Sequence, residues 1–148
     1  MSADRFGIDA SILFYSIDRD AGRRHEIAGR ALRRAAIEVD TLITMQAYCE
    51  LFAAATRKGI VTIPDAKAQI EDWRLLYTTV LPRSSCLSQA IEAVEAHDLS
   101  FWDAMLWSAS KDAGVTILLS EDLQDGRDLG GVLFRNPFTA TDPLAPRH

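Results

Sequence analysis

The chain has 148 residues, 48% of them hydrophobic and 25% charged, with a net charge of −5. These proportions fit a single globular domain over residues 1–148 and exclude a disordered, collagen-like or disulfide-framed chain. No apolar run approaches the roughly 20 residues that span a bilayer. No signal-peptide pattern opens the chain, and Cys49 and Cys86 stand apart, so the expectation is a cytoplasmic protein with reduced thiols and no membrane association.

In chain order, Phe6-Gly7-Ile8 reads as a short buried strand. Asp9-Ala10-Ser11 punctuates it, and Ile12-Leu13-Phe14-Tyr15 begins a helical turn with an Asp or Ser N-cap. From Gly22 to Glu38, Ile27, Ala31, Leu32 and Ala35 recur at helical spacing, while Arg23, Arg24, Arg30, Arg33 and Arg34 crowd the same segment. Thr41 to Thr44 is a second strand. Gln46 to Lys58 follows as a helix, with Gly59 at its C′ position. Pro64 stands near the start of a helix that carries Ala66, Ile70, Trp73 and Tyr77 on one face. Thr79-Val80-Leu81 is a third strand, cut off by Pro82. Leu87, Ile91 and Val94 mark a helix ending near His97. Ser100 opens another that runs to Ala113, stopped by Gly114. Val115 to Leu119 is a continuous apolar run, as a strand buried on both faces requires. Val132 to Phe134 is a last strand, and residues 139–148 are expected to fray.

Strands alternating with helices imply an α/β protein with a mostly parallel sheet. Ligands of such sheets bind beyond the carboxyl ends of the strands. There Asp9, Glu50, Asp103 and Asp122 come from four separate segments, with no Lys or Arg close behind these strands in sequence. Carboxylates gathered without cations repel one another unless a divalent metal neutralises them. Each acid also has a plainer reading. Asp9 can cap the following helix. Asp103, three residues after Ser100, fits a capping box. Asp122 can be an ordinary loop acid. Glu50 lies beside the apolar stripe of its helix, where a carboxylate is costly unless paired or metal-bound. The acidic total argues against electrostatic coating of nucleic acid, although the distribution of charge counts for more than the sum.

Other chemistries lack their residues. Neither a G-x-G-x-x-G nor a G-x-x-x-x-G-K-[ST] cradle is present, and no Cys/His cluster suggests zinc. His25, His97 and His148 are scattered and read as solvated. Phe101, Trp102 and Trp107 read as core.

Phe6 to Leu13, containing Asp9-Ala10-Ser11, resembles the opening strand and turn of PIN domains. Leu99 to Ala104, continuing through Ile117 to Gly126, is similar to the C-terminal half of VapC-type toxin ribonucleases, and Val132 to Phe138 extends the likeness. The resemblance implies a three-layer α/β/α sandwich and an Mg2+- (or Mn2+-) dependent ribonuclease. It aligns Asp9, Glu50, Asp103 and Asp122 with the four acids of the family, and Ser11 and Ser120 with its supporting polar residues. Ser11 departs from the frequent Asn. Asp9 and Asp103 are then the principal metal ligands, and a metal-activated water hydrolyses the RNA phosphodiester. The role of Asp125, an extra acid nearby, is open. The resemblance also implies a homodimer and a small cognate antitoxin whose C-terminal segment blocks the groove. Trp73, Tyr77 and the stripe of their helix are expected at the dimer interface. Ile12 to Tyr15 and Gly22 to Glu38 are expected as the walls that receive the antitoxin. An RNA-processing nuclease without an antitoxin, or a silent binding module, stands as the alternative.

Overall fold

A computed structural model describes residues 3–147. The strands are β1 (Arg5–Ile8), β2 (Asp40–Thr44), β3 (Thr78–Val80), β4 (Ile117–Leu119), β5 (Asp128–Leu129) and β6 (Val132–Arg135). The helices are α1 (Ala10–Ile17), α2 (Arg23–Glu38), α3 (Met45–Arg57), α4 (Ile63–Leu76), α5 (Ser84–His97) and α6 (Phe101–Asp112). The strands form one sheet in the order β3-β2-β1-β4-β6-β5, parallel except for β5 against β6. Every segment expected as helix or strand forms one. The two-residue β5 carries too few residues for any periodicity to announce it.

Alternation along the strands divides the core in two. Phe6, Ile8, Ile43, Ile117 and Leu119 face α1–α4, together with buried Ile12, Leu13, Leu32, Leu51 and Trp73. Leu42, Leu118, Val132 and Phe134 face α5 and α6, with Ala90, Ala104 and Trp107. This is the expected three-layer α/β/α sandwich. Each fully buried Ile or Leu contributes roughly 1.5–3 kcal/mol from its removal from water, so both layers hold the sheet. Gly7 shows why β1 can be central: a Cβ there would lie 3.1 Å from the Leu118 side chain. At the end of α6, Gly114 takes the positive φ of 85° that stops the helix.

Four expectations about exposure are corrected. Trp73 and Tyr77 are buried, Tyr48 stacks on Trp73, and the Tyr77 hydroxyl donates to the Leu32 carbonyl at 2.6 Å. They belong to the core, and the apolar surplus of α4 is Leu75 and Leu76 instead. Conversely, Phe101 and Trp102 are exposed and only Trp107 is core. The end of the chain is docked rather than frayed. Leu144 is buried, Arg135 donates to the carbonyls of Pro143 and Ala145, and Arg147 bonds Asp4 and the Thr116 carbonyl. His148 lies outside the described residues. His25 and His97 are half-buried rather than solvated: His25 Nδ1 lies 3.0 Å from the Tyr15 carbonyl, and His97 meets Trp107 edge-on. Among the described residues, no helix is long and apolar enough to cross a membrane.

Candidate active site

The parallel strands β2, β1 and β4 end side by side, and the chain leaves each of them into an acidic segment. Asp9 follows β1 directly and caps α1: its Oδ1 accepts from the Ala10 N–H at 2.6 Å. Its Oδ2 accepts from the Ser120 hydroxyl at 2.7 Å. The Asp9 backbone N–H bonds the Leu119 carbonyl, so β1 and β4 hold both partners in register. Capping and site formation are thus one arrangement here, because the two carboxylate oxygens divide the tasks. Ser120 is fully buried, and its Oγ also accepts from the Asp122 N–H at 3.0 Å. That hydroxyl turns the loop after β4 back toward the cleft.

Asp9 is 4% exposed and has no ion-pair partner among the described residues. Burial pushes its carboxyl up to about 7; the bonds from Ser120 and Ala10 pull the other way, and the charges of Asp122 and Glu50 push it further. Burial also raises Asp122, with the charges of Asp103 and Glu121 adding to it. Asp122 therefore feels Asp103 on one side and acts on Asp9 on the other, which links the two acids expected as ligands.

Asp103 is half-buried in the first turn of α6. The Ser100 hydroxyl accepts from the Asp103 N–H at 3.3 Å. The reciprocal bond of a capping box is not formed among the described residues, so the Asp103 carboxylate is left for Asp122. Glu50 corrects the expectation that placed it against the core. It is exposed, and its Oε1 accepts from Gln46 Nε2 at 2.6 Å. Gln46 also donates to the Trp102 carbonyl, tying α3 to the start of α6. The Ser11 hydroxyl is buried with no hydrogen-bond partner. Asp125, whose role was open, accepts from the Asn136 N–H at 2.9 Å and braces the loop after β6.

A cleft of about 250 Å³ joins Asp9, Ser11, Glu50 and Asp122 to Tyr15 and Lys58. Of two cations that sequence distance concealed, Lys58 lines it and Arg24 pairs with its rim residue Glu121. Lys58 Nζ lies 5.0 Å from the centre of the Phe14 ring. Arg24 Nε pairs with Glu121 at 2.6 Å, and the Tyr15 hydroxyl donates to the same carboxylate at 2.9 Å. The hydrogen bond to Glu121 holds the Tyr15 hydroxyl above its ordinary value. Among the visible signals, only Glu121 beside Asp122 pointed here. A roomier cleft of about 580 Å³ lies between the end of α1 and the start of α4, but there Asp18 is occupied in capping a turn.

The donor set is oxygen only, with a buried carboxylate lacking a cation and a buried hydroxyl lacking a partner. Among the described residues, no three Asp, Glu, His or Cys side chains stand close enough to hold one ion. A hard cation held by one or two carboxylates and several waters fits this set, whereas a cage built wholly of protein ligands does not.

No family model and no curated protein matches the chain. Solved structures do. VapC20 of Mycobacterium tuberculosis, described as a Sarcin-Ricin loop cleaving toxin, superposes with a TM-score of 0.62 at 18% identity, covering 79% of this chain and 91% of that one. VapBC2 from Rickettsia felis, bound to a DNA fragment from its promoter, gives 0.66 at 10% identity, covering 89% and 98%. A toxin–antitoxin complex from Klebsiella pneumoniae gives 0.63 at 18% identity, covering 92% and 98%. At such identities the likeness speaks for the backbone: this chain has the α/β fold of the VapC-type PIN-domain toxins.

Proposed function

We propose that the chain is a metal-dependent endoribonuclease and the toxin of a toxin–antitoxin pair. One observation carries this reading: Asp9, buried and without a cation, lies at the carboxyl edge of the sheet with Asp122 and Glu50 pressing on it. A buried carboxylate costs free energy unless something neutralises it. Asp9 and Asp103 would hold Mg2+ or Mn2+, with Glu50 and Asp122 completing the acidic pocket directly or through water. The bound ion supplies Lewis-acid polarisation of the scissile phosphate and an activated water. Ser120 fixes the Asp9 carboxylate and offsets part of the rise that burial causes. Ser11, with its hydroxyl unspent, orients a water or a phosphate oxygen. Lys58 attracts the phosphate, which four acids would otherwise repel.

The neighbours that are toxin–antitoxin complexes support an antitoxin partner. Its C-terminal segment inserts a basic residue among Asp9, Glu50, Asp103 and Asp122. The expected wall of Ile12 to Tyr15 is revised, since Ile12 and Leu13 are fully buried. The apolar groove open to such a segment lies between α2 and α4, along Leu32, Ala36, Ile37, Trp73 and Leu76. A homodimer in the cytoplasm completes the reading.

The test is cleavage of RNA by the purified protein with Mg2+ or Mn2+, with excess EDTA, and as Asp9→Asn. Undiminished cleavage in EDTA would overturn it.

A further inference from the structure

We propose that the cleft between α2 and residues 137–143 is a second binding site, a track for the sugar–phosphate backbone of single-stranded RNA leaving the acidic pocket. This rests on the ribonuclease reading of that pocket. Helix α2 carries five arginines against two glutamates, in a chain whose net charge is −5. Arg23, Arg30 and Arg34 are spaced i, i+7, i+11 and so share one stripe of the helix. With Ile27, Phe138 and Pro143 they line a cleft of about 190 Å³. Arg34 is spent, held by Glu38 and Asp142. Arg23 and Arg30 are exposed and form no ion pair among the described residues. Like charges on one helix face destabilise it unless they are answered. Here two guanidinium groups, about 10 Å apart along the helix, are left for an anion with more than one charge.

The cleft and the acidic pocket meet at one aromatic contact. Phe138 forms its wall and meets Tyr15 edge-on, with ring centres 5.3 Å apart. Tyr15 lines the pocket of Asp9. The Arg24 guanidinium lies over both rings, 5.8 Å from the centre of Tyr15 and 5.3 Å from that of Phe138. A strand whose scissile phosphate sits at Asp9 therefore crosses an aromatic wall and arrives at Arg23 and Arg30. A narrow cleft with an aromatic ring in its wall and arginines without ion pairs beside it combines the two features that bind single strands. An acidic protein segment would need no such neighbour as the pocket of Asp9.

The experiment is fluorescence anisotropy in EDTA, so that nothing is cut, with a labelled single-stranded RNA of about 20 nucleotides and one of about four, over a range of salt. The double variant Arg23→Gln/Arg30→Gln is expected to bind the long RNA about tenfold more weakly, with a log–log salt slope shallower by roughly 1.4, two phosphate contacts at about 0.7 each. The short RNA, which cannot reach both clefts, loses less. Arg23→Lys/Arg30→Lys restores most of the slope, which a merely structural role does not predict. A double variant that equals the parent in affinity and slope on the long RNA overturns the proposal. So does one that loses a co-purifying acidic protein while its RNA binding is intact. Cleavage with Mn2+ is scored separately. Arginine-dependent binding without any cleavage sinks the ribonuclease reading and leaves the track. Cleavage with variant and parent alike in binding does the reverse.

Discussion

The two edges of the sheet treat their aspartates in opposite ways. At the amino edge every such acid has an answer: Asp40 pairs with Arg5 at 2.8 Å, Asp128 with Arg147, and Asp4 accepts from Thr116 and Arg147. At the carboxyl edge Asp9 is buried with hydroxyl and amide donors only, and the charge of Asp103 bears on Asp122. The same side chain ties down the ends of the chain at one edge and stores unmet negative charge at the other. The difference marks the carboxyl edge as the candidate site on grounds other than cleft size, since a roomier cleft lies elsewhere.

The comparison can be broken most severely at Asp9. Asp9→Asn and Asp103→Asn are each expected to lower the rate of RNA cleavage by at least on the order of 100-fold, the loss of a few kcal/mol of transition-state stabilisation. Circular dichroism checks that the fold survives, and Asn remains a good helix cap at position 9. Next comes Ser120→Ala. Its hydroxyl lowers the Asp9 carboxyl, so removing it should move the rising limb of the rate–pH profile upward and cost on the order of tenfold near neutrality. Lys58→Ala should raise KM severalfold, on the order of 3-fold, with little change in kcat, as measured by steady-state cleavage.

Stability sharpens the contrast with smaller effects. The folded-state value of Asp9, about 7, lies above the ordinary 3.8. The native state therefore holds that proton more tightly than the unfolded state. Stability is lost as pH climbs from the lower value to the upper and stays lost above it. Asp9→Asn removes the loss, so without metal its Tm should exceed the parent's by on the order of 5 °C at pH 8 and match it near pH 4. Scanning calorimetry across that range decides it; a gain that grows as pH falls would falsify the sign. Asp40→Asn, at an ion pair about half exposed on both sides, should cost no more than about 1 kcal/mol at any of these pH values.

Much of the framework was legible because short apolar runs and their caps are local. Gly59 and Gly114 end helices at the positive φ that their positions predicted, and Ser100 caps α6 as expected. Asp9 was legible as an acid beyond a strand, and the structure adds the hydroxyl that holds it. Glu50 lines the cleft, but not from the core-facing position read for it. One residue's error in helical phase moves a side chain by about 100°, and the supposedly costly position is exposed. Trp73 and Tyr77 looked surplus because the number of helices covering that face of the sheet is not written in any one of them. Phe101 and Trp102 looked like core because composition does not say which side of a first turn faces solvent. Arg24 and Lys58 were invisible as neighbours of Asp9 for a similar reason. Ion pairs such as Arg24 with Glu121 join residues that only the completed sheet brings together.

The bond from Ser120 to Asp9 spans 111 positions of the chain. β1, the central strand, is made early, yet its partner β4 and that hydroxyl follow only 111 positions later. At ribosomal speeds the first acid waits on the order of ten seconds for the second half of its site. During that interval β1 has one open edge, which is the time at which a chaperone or a premature partner strand competes for it. A site assembled this way stays incomplete in the nascent chain until the segment that carries Asp103 and Asp122 has emerged.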